Sequence, residues 1–401
     1  MRRVVASMVV ARLGGSMLQL TAVLFVLEHY RSPALAGAVG LAAGLSGILM
    51  APLAGALLDR YGRVRLICAD YAVGVLTTIL LPVLAEARLL PAWLLVGLVA
   101  LSGLTLPLSA SGGRALLPML LARELWDRSN ALDSASYRAA AIAGPALAGG
   151  LVGGLGSSRT MAAIGLTWIV AGILLWPVTE PAGMAGRGRS VVSEAVGGLR
   201  YVLHNRVLRR LSIVFPAGTL AAGALNVVLP VLVLTRLHGS PALIGLLWAA
   251  MGAGGLVSNL LMGGVRTEGR ESRIMAAGFT GGAVSLVLVA LAPSVPVAAI
   301  GMALVGACNG PIDNAMFGLR VRAIEPAWFG RSISISMMLN SMGFPIGAGL
   351  GGALAGYSLP LAVGLVCLSP LLGGLLSLVL LRPASQRRPA PVLHPVGSPK
   401  P

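Results

Sequence analysis

Charge is scarce in this chain, and that scarcity limits the class of protein to which it can belong. Only 11% of the 401 residues are charged, 56% are hydrophobic, and the mean hydropathy is +0.88. A water-soluble globule of this size could not bury so much apolar surface, because too few polar side chains would remain to cover its exterior. The composition excludes a soluble domain and indicates a protein embedded in a lipid bilayer.

Lysine, cysteine and histidine are also rare, which removes several classes of function. The single lysine, Lys400, lies at the end of the chain, so a phosphate-cradling lysine motif is absent and transport driven by ATP is not expected. Cys68, Cys308 and Cys367 fall on different predicted helices, and the four histidines lack metal-ligand spacing, so we expect neither a disulfide framework nor a metal site. No pattern pairs a nucleophile with a base, and the sequence predicts neither an enzyme nor a cofactor.

Acidic residues are few as well, with 13 against 30 basic residues and a formal net charge of +17. Such a balance can indicate nucleic-acid binding. Here the arginines are distributed over many connections and form no single patch with aromatic stacking partners, so we expect no nucleic-acid partner. Anionic lipid headgroups are the expected counter-charge.

Long apolar runs, by contrast, are abundant. A hydrocarbon core about 30 Å thick needs roughly 20 apolar residues per helix, whereas a membrane barrel would show strands of about ten alternating residues. The runs do not alternate, so the sequence predicts an all-α membrane protein. Its twelve predicted transmembrane helices are 5–28, 33–58, 65–86, 90–110, 131–155, 160–178, 208–235, 241–265, 273–292, 295–318, 331–356 and 358–381.

The placement of arginines predicts the orientation of these helices. Cytoplasmic loops of membrane proteins carry an excess of Lys and Arg. If both termini are cytoplasmic, the predicted outer turns carry only Arg31, Arg88, Arg159 and Arg236, and most other arginines lie inside. We therefore expect a multi-pass protein of the cytoplasmic (inner) cell membrane with both termini in the cytoplasm.

An internal repeat divides the chain into two halves. The segment Ser-Pro-Ala-Leu-Ala-Gly that begins at Ser32 recurs from Ser240 as Ser-Pro-Ala-Leu-Ile-Gly, an offset of 208 residues. A second match, at an offset of 200, relates Pro145 to Pro345. Two parallel six-helix repeats are typical of transporters in which two bundles rock about a site at their interface.

This organisation predicts four parts of the chain. Residues 1–178 form an N-terminal six-helix bundle and residues 208–381 a C-terminal one, joined by a cytoplasmic linker at 179–207. Apolar residues recur in this linker at the spacing of an amphipathic helix that lies on the membrane surface. Residues 382–401 are expected to be a disordered cytoplasmic tail. The apolar positions of the linker are Val192, Val196, Leu199, Val202 and Leu203.

The connection after the second helix carries the most informative motif, in which a carboxylate, arginines and glycines lie between two apolar runs. Over residues 5–381 the chain resembles the transporters of the major facilitator superfamily, which carry this motif at the same place. The fifth helix is similar to the GPxxGG pattern of the superfamily's antiporters, with Ala148 in place of one glycine. The motif in the connection comprises Gly55, Asp59, Arg60, Gly62 and Arg63. The pattern in the fifth helix comprises Gly144, Pro145 and Gly149.

Shorter segments are similar to the efflux subgroup of the superfamily, which includes macrolide and siderophore exporters. In contrast, many antiporters of the superfamily place an arginine deep in the fourth helix. This chain has none between Leu89 and Gly113, so proton coupling is not carried over from that residue. The similar segments are Asn130-Ala-Leu, Gly198-Leu-Arg-Tyr-Val202 and Gly330-Arg331-Ser332.

For the motif around Asp59 the resemblance implies a conformational latch, which joins the cytoplasmic ends of the two bundles while the cavity faces outward. The alternative is a loop charge that only sets topology. The offset of 208 places Thr267 and Glu268 where Asp59 and Arg60 stand, so the second half lacks the pair. The latch is therefore expected to be one-sided, with Gly330-Arg331 as its partner.

For the pattern in the fifth helix the resemblance implies a bent gating helix that packs closely on the other bundle and limits leak. The alternative is ordinary packing of small residues without a transport role. The recurrence of a Pro-Gly cluster at Pro345 and Gly349 favours the gating role.

Ionisable residues inside the predicted spans are candidates for function, because an intramembrane charge costs about 2.5–3.5 kcal/mol on insertion scales. Asp313 is the deepest carboxyl; it either exchanges a proton between two access states or has a structural role. Arg138 also needs a partner, for which Asp70 and Asp133 are the candidates. In the superfamily the first, fourth, seventh and tenth helices line the cavity. The implied site for substrate and proton coupling comprises Gln19, Thr105, Asn226, Asn309, Asp313 and Asn314.

These observations predict a secondary active transporter with the major facilitator fold. The expected activity is proton-coupled efflux of a hydrophobic or amphiphilic small molecule, such as a drug, an antibiotic or a secondary metabolite, by a monomer that uses the proton gradient. The direction of transport is implied by the resemblance. Two alternatives stay open: an uptake symporter of the same fold, and a membrane sensor or scaffold that does not transport.

Overall fold

The computed structural model describes residues 2–121, 123–180, 191–325 and 328–381. Within these ranges the chain forms α-helices joined by short connections, with one 3-10 turn at Arg123–Leu125 and no strand. The first six helices are α1 (Arg2–Tyr30), α2 (Pro33–Tyr61), α3 (Arg63–Glu86), α4 (Ala92–Leu120), α5 (Trp126–Leu155) and α6 (Ser157–Leu175). The next are α7 (Val191–His204), α8 (Arg206–Thr235), α9 (Pro241–Met262), α10 (Glu271–Ala290), α11 (Val295–Ala323), α12 (Phe329–Ser341), α13 (Gly343–Tyr357) and α14 (Leu359–Leu380).

Twelve segments of this structure are long and apolar enough to cross a membrane, which confirms the predicted number of spans. The helices α12 and α13 together form one of them, and α7 is not a span. At their C-termini, α4 and α11 run furthest beyond the predicted ends: α4 ends at Leu120 and α11 at Ala323. Their additional turns contain Arg114 and Arg320. The hydropathy pattern ended each helix just before its arginine, because a charge lowers the local hydropathy.

Local sequence explains where several helices begin and end. The Ser32 hydroxyl accepts a hydrogen bond from the Leu35 N–H at 3.2 Å, and Pro33 follows at the first helical position, where no N–H is needed. Gly62 and Gly156 adopt φ values of +91° and +82° in the turns that follow α2 and α5, a conformation that favours glycine. These short turns keep consecutive helices adjacent.

The helices form two bundles with the same internal packing. In the first bundle (α1–α6), α1 packs on α5 and α6, α2 packs on α4, and α3 packs on α4 and α6. In the second bundle (α8–α14), α8 packs on α13 and α14, α9 packs on α11, and α10 packs on α11 and α14. Each of these contacts in the first bundle has a counterpart in the second, as the internal repeat predicts.

Two glycine-rich seams join the bundles. On the α2–α13 seam, a Cβ added to Gly37 would lie 2.5 Å from the Ala348 carbonyl oxygen. On the α5–α9 seam, a Cβ added to Gly149 would lie 2.5 Å from the Pro241 carbonyl oxygen. Because glycine has no Cβ, the backbones of the two bundles can approach this closely.

The two ends of the molecule differ in charge and in packing. The arginine-poor end carries the connections after α1, α3, α8 and α10, and the arginine-rich end carries those after α2, α4, α9 and α11. The α5–α9 seam starts near the arginine-poor end at Gly153 and reaches Ile142, about three helical turns away. Beyond it, Arg138 on α5 and Asp313 on α11 are exposed. The bundles are therefore closed at the arginine-poor end and open at the arginine-rich end.

The seams also correct the register of the repeat. Gly44 of α2 faces Pro345, and Gly252 of α9, which is 208 residues after Gly44, faces Ile142. Pro345 therefore corresponds to Ile142, an offset of 203, and the match that paired Pro345 with Pro145 was wrong by three residues. The offset changes because matched positions lie five residues closer in the second half: Gly47 of α2 contacts Gly103 of α4, 56 residues later, whereas Gly255 of α9 contacts Gly306 of α11, 51 residues later.

The linker helix α7 docks on the second bundle. Val202 is fully buried and packs with Ile324, and the Tyr201 ring stacks on Trp328 with 5.1 Å between centroids. Asn205 donates a hydrogen bond to the Ala323 carbonyl oxygen at 2.8 Å. Part of the apolar face predicted to lie on the membrane thus contacts protein.

Of the other four apolar positions predicted for the linker, two are exposed and two have side chains that the structure does not describe. Leu199 and Leu203 are exposed on α7. The side chains of Val192 and Val196 lie outside the described residues, as do residues 181–190 and the predicted tail at 382–401.

Candidate transport site

A cavity of about 240 Å³ lies inside the second bundle, between α8, α9, α10, α11 and α14. Asn309 and Asp313, two of the predicted site residues, line it from one face of α11, where residues four apart are neighbours. Among the lining residues that the structure describes, Asp313 is the one that carries charge. The apolar and aromatic part of the wall includes Phe215, Leu225, Trp248, Met251, Phe279 and Ile312.

Asp313 interacts electrostatically with an arginine of the other bundle. Arg138 of α5 and Arg320, two turns along α11, both interact electrostatically with its carboxylate. Asp313 and Arg138 are exposed, whereas Arg320 is fully buried. The predicted partners of Arg138 were Asp70 and Asp133, and the structure instead directs it towards Asp313.

Asp133 is held by two other arginines. Arg12 of α1 donates to one of its carboxylate oxygens at 2.5 Å, and Arg114 of α4 approaches the other oxygen at 3.4 Å. Arg12 also donates to the Ser136 hydroxyl at 2.6 Å. The side chains of Arg12 and Asp133 are only 16% and 11% exposed, so charge-assisted hydrogen bonds replace the hydration that they lose. Sequence reasoning offered Asp133 as a partner for Arg138 and did not pair it with Arg12, although both Arg12 and Asp133 lie inside predicted spans.

Thr105, a predicted cavity residue, belongs to a polar cluster inside the first bundle. The carboxyl of Asp70 on α3 is buried, and the side chains of Ser109 and Thr105 on α4 lie close enough to stabilise its charge. The two hydroxyls donate their own hydrogen bonds to backbone oxygens of α4, Ser109 to Leu106 and Thr105 to Ser102. Thr105 is therefore a partner of Asp70 and does not line the cavity of the second bundle.

The remaining predicted cavity residues have separate surroundings. Gln19 is exposed midway along α1, and Asn226 is half-buried midway along α8, a helix that contacts α1 between the bundles. Asn314 is half-buried on α11, and its amide nitrogen has no hydrogen-bond partner among the described residues. Of the six predicted residues, the structure brings Asn309 and Asp313 together in one cavity.

The predicted latch residues organise a turn of the first bundle. Asp59 accepts a hydrogen bond from Arg63 one helical turn later, and Gly62 turns the chain between them. Glu180, which follows α6, accepts a hydrogen bond from the Val64 N–H and so caps the N-terminus of α3. Sequence reasoning missed Glu180, because a residue 116 positions away leaves no local signal.

The other latch residues make no described contact with the second bundle. Arg60 lies over the Tyr61 ring at 5.4 Å, and the space beside Gly55 is open. The side chain of the expected partner, Arg331, lies outside the described residues. The latch role of these residues stays a prediction.

The corresponding connection of the second half, between α9 and α10, is stabilised by a different pair. Glu271, the first residue of α10, accepts a hydrogen bond from Arg322 near the end of α11. The two pairs differ in sequence separation and in the helices they join. Glu271 and Arg322 therefore do not copy the predicted latch.

The small residues of the predicted gating helix, α5, contact two different helices, α1 and α9. A Cβ added to Gly144 would overlap the Ser16 Cβ of α1, so this glycine permits close packing within the first bundle. The Pro145 carbonyl oxygen and Gly149 both lie against Gly245 of α9 in the second bundle. Gly149 is thus a contact between the bundles, and Gly144 is not.

A buried polar cluster around Arg320 was absent from the prediction. Arg320 is fully buried and donates to the amide oxygen of Asn340 on α12, in the amide orientation that also lets Asn340 donate to the Ser336 carbonyl oxygen at 3.1 Å. Ser332 and Ser336 are fully buried on the same face of α12. The four-residue spacing of Ser332, Ser336 and Asn340 on α12 was the available signal.

Comparison with known proteins places this architecture in a family. Residues 1–395 match the family model described as transmembrane secretion effector. An uncharacterized MFS-type transporter of Sinorhizobium fredii, y4rN, is 38% identical over 356 residues, which are 87% of each chain. The multidrug efflux pump Tap of Mycolicibacterium fortuitum is 29% identical over 82% of this chain and 83% of its own. The enterobactin exporter EntS of Citrobacter koseri is 28% identical over 90% and 87%.

Solved structures agree at the level of the fold. The nucleoside transporter NupG superposes with a TM-score of 0.70 at 13% identity, covering 94% of this chain and 98% of its own. A bacterial metal transporter superposes with a TM-score of 0.64 at 16% identity over the same shares. With its twelve spans in two bundles of equivalent packing, the chain belongs to the transmembrane secretion effector family of major facilitator superfamily transporters.

Proposed function

We propose that this transporter exports a hydrophobic or amphiphilic small molecule across the cytoplasmic membrane in exchange for protons, by alternating access between its two bundles. The observation that carries the proposal is Asp313, a carboxylate in a cavity otherwise lined by apolar, aromatic and uncharged polar residues. A carboxylate inside a membrane is costly, and such residues mark proton and substrate pathways.

The arginines support an orientation. Because cytoplasmic loops are enriched in Arg, we assign the arginine-rich end to the cytoplasm, with both termini inside. The opening at that end then supports a state that loads substrate from the cytoplasm or from the inner leaflet. Export is further supported by the names of two relatives, a multidrug efflux pump and an enterobactin exporter.

The proposed cycle needs only the movement of a proton and of the substrate. Asp313 takes up a proton while the cavity faces outward and releases it to the cytoplasm after the bundles have reversed. The substrate binds to the apolar and aromatic wall, which includes Phe215, Trp248 and Phe279, by burying its own apolar surface. When the bundles change from outward-facing to inward-facing, the protein carries a proton in. When they change back, it carries a substrate molecule out.

Everted membrane vesicles test coupling and direction together. With the vesicle interior acidified, we expect a hydrophobic dye such as ethidium to accumulate inside. Asp313→Asn is expected to abolish this accumulation, because an amide cannot carry the proton. Asp70→Asn, which changes a buried carboxyl of α3 outside the cavity lining, is the matched control.

Each other outcome has a defined meaning. Undiminished proton-driven transport in Asp313→Asn contradicts the proposal. Movement of substrate together with protons, in the same direction, would indicate an uptake symporter. Absence of flux for a broad set of hydrophobic probes, in a protein that folds, is the result expected of a sensor or scaffold.

A further inference from the structure

One face of α5 packs against the second bundle from Ile142 to Gly153. On this face, Gly149 packs against Gly245, and Ile142 packs against Gly252. Arg138 lies four residues before Ile142, and therefore on the same face, one turn closer to the arginine-rich end. Its exposed side chain occupies the place where the closed seam ends and the open space begins.

Asp313 of α11, in the second bundle, is within electrostatic range of Arg138. The charged groups that act on Asp313 are Arg138 from α5 and Arg320 from its own helix. The cavity walls that α8, α9, α10 and α14 contribute carry no charge among the described residues. Asp313 is exposed, so an approach of the bundles at the arginine-rich end can bring the two side chains together.

Arg138 does not have the nearby carboxylate of its own helix as a partner. Both oxygens of Asp133 are engaged, one by Arg12 and the other by Arg114. Among the salt bridges of the described residues, those of α5 are the two that Asp133 makes. Asp313 is therefore the carboxylate towards which the charge of Arg138 is directed.

The pseudo-symmetry of the fold shows that this pair is specific to one seam. With the offset of 203 that relates α4 to α11 and α5 to α12 and α13, the counterpart of Arg138 is Ser341 and that of Asp313 is Ala110. The equivalent position beside the α2–α13 seam therefore lacks both charges. The α2–α13 seam packs closely although it has neither charge, so the packing of a seam does not require an arginine and an aspartate at these positions.

We infer that Arg138 and Asp313 form a charge-controlled gate at the arginine-rich end. Their salt bridge closes this end beside the α5–α9 seam when Asp313 is ionised, and protonation of Asp313 removes the salt bridge and opens the end. Arg138 is thus a positioning residue that couples the charge of Asp313 to the conformation. The inference rests on the proton exchange proposed for Asp313, and it explains how that exchange selects between the two access states.

Accessibility of Gln19→Cys tests the gate without any substrate. In a chain whose three native cysteines are replaced by alanine, a membrane-impermeant maleimide is added to everted vesicles, from the arginine-rich side. The labelling rate of Gln19→Cys is divided by that of the exposed loop variant Glu268→Cys, which corrects for thiol ionisation. We expect this ratio to be about tenfold higher at mildly acidic than at mildly alkaline pH, the factor that corresponds to about 1.4 kcal/mol.

Substitutions separate the gate from a general charge effect. Arg138→Gln is expected to give the same high ratio at both pH values, and Arg138→Lys to retain the pH dependence. Arg114→Gln removes an exposed arginine of the same bundle that acts on Asp133, and is expected to behave as the native chain does. The gate is refuted if the native ratio does not change with pH, or if Arg138→Gln keeps the native change.

The two proposals can fail separately. If Asp313→Asn loses the pH-dependent labelling but retains proton-driven transport, the gate stands and the assignment of Asp313 as proton carrier fails. If Asp313→Asn loses transport but keeps the pH-dependent labelling, the carrier assignment stands and the gate fails.

Discussion

Arg12 and Asp133 form a salt bridge of 2.5 Å between α1 and α5, within the membrane-spanning part of the first bundle. A second arginine, Arg114, approaches the other oxygen of the same carboxylate. The cluster thus joins three helices through one acidic side chain. Asp133 lies on α5 five residues before Arg138, and both of its carboxylate oxygens are already engaged by other arginines.

Asp133→Asn is expected to destabilise the protein strongly. The substitution leaves two arginines close together without a counter-charge, and breaking a buried ion pair in this way typically costs about 3–5 kcal/mol. Thermal unfolding in detergent, followed by tryptophan fluorescence, should show a clearly lowered midpoint. Glu268→Gln, at an exposed acid in the α9–α10 connection, is the control, and an equal effect of both variants would disprove the structural role of the cluster.

Gly149→Ala is expected to impair closure of the arginine-poor end, while its neighbour Gly150→Ala is tolerated. The new Cβ at position 149 would lie 2.5 Å from a backbone oxygen of Pro241, which cannot move away alone, whereas no atom lies within 4 Å of a Cβ at position 150. Overpacking of this kind costs about 1–3 kcal/mol. Transport activity and thiol labelling from the arginine-poor side measure the effect, and equal behaviour of the two variants would contradict it.

Asp59→Asn and Glu180→Gln are expected to separate the latch from the capping of α3. The pair of Asp59 and Arg63 is partly exposed, with Asp59 47% exposed, so its loss should change stability by about 0–1 kcal/mol. If Asp59 is a latch, its substitution lowers transport while the unfolding midpoint stays nearly constant. Glu180→Gln weakens a charged cap and should lower the midpoint. If the Asp59→Asn variant transports at the native rate, the latch is refuted, and Asp59 is a loop charge that only sets topology.

Asn205→Ala is expected to loosen the connection between the linker helix and the second bundle. The Asn205 side-chain oxygen accepts hydrogen bonds from the N–H groups of Val207 and Leu208, and its nitrogen donates to Ala323. Loss of an N-cap costs about 1 kcal/mol. Asn205→Asp keeps the cap but loses the bond to Ala323, so it should have an intermediate effect on proteolysis of the linker. Equal protection of the native chain and the alanine variant would refute this role.

Several features were predictable because they depend on local composition. The spans follow from apolar runs of membrane length, and the start of α2 follows from Ser32 and Pro33. Asp313 could be selected because charges are rare inside spans, and Asn309 followed from the four-residue spacing of one helix face. Each of these inferences uses residues within one helix, where geometry is fixed by the backbone period.

The sequence by itself determined that this protein is embedded in a lipid bilayer, how many times it spans the membrane and that it has two related halves. The scarcity of charge in the sequence also singled out Asp313. Only the tertiary structure decided which charges meet. Arg12 and Asp133 are 121 residues apart, Arg138 and Asp313 lie in different bundles, and the repeat changes its offset from 208 to 203 between α9 and α11. Such pairings depend on the rotation and register of packed helices, which close glycine contacts fix in space and which no local pattern encodes.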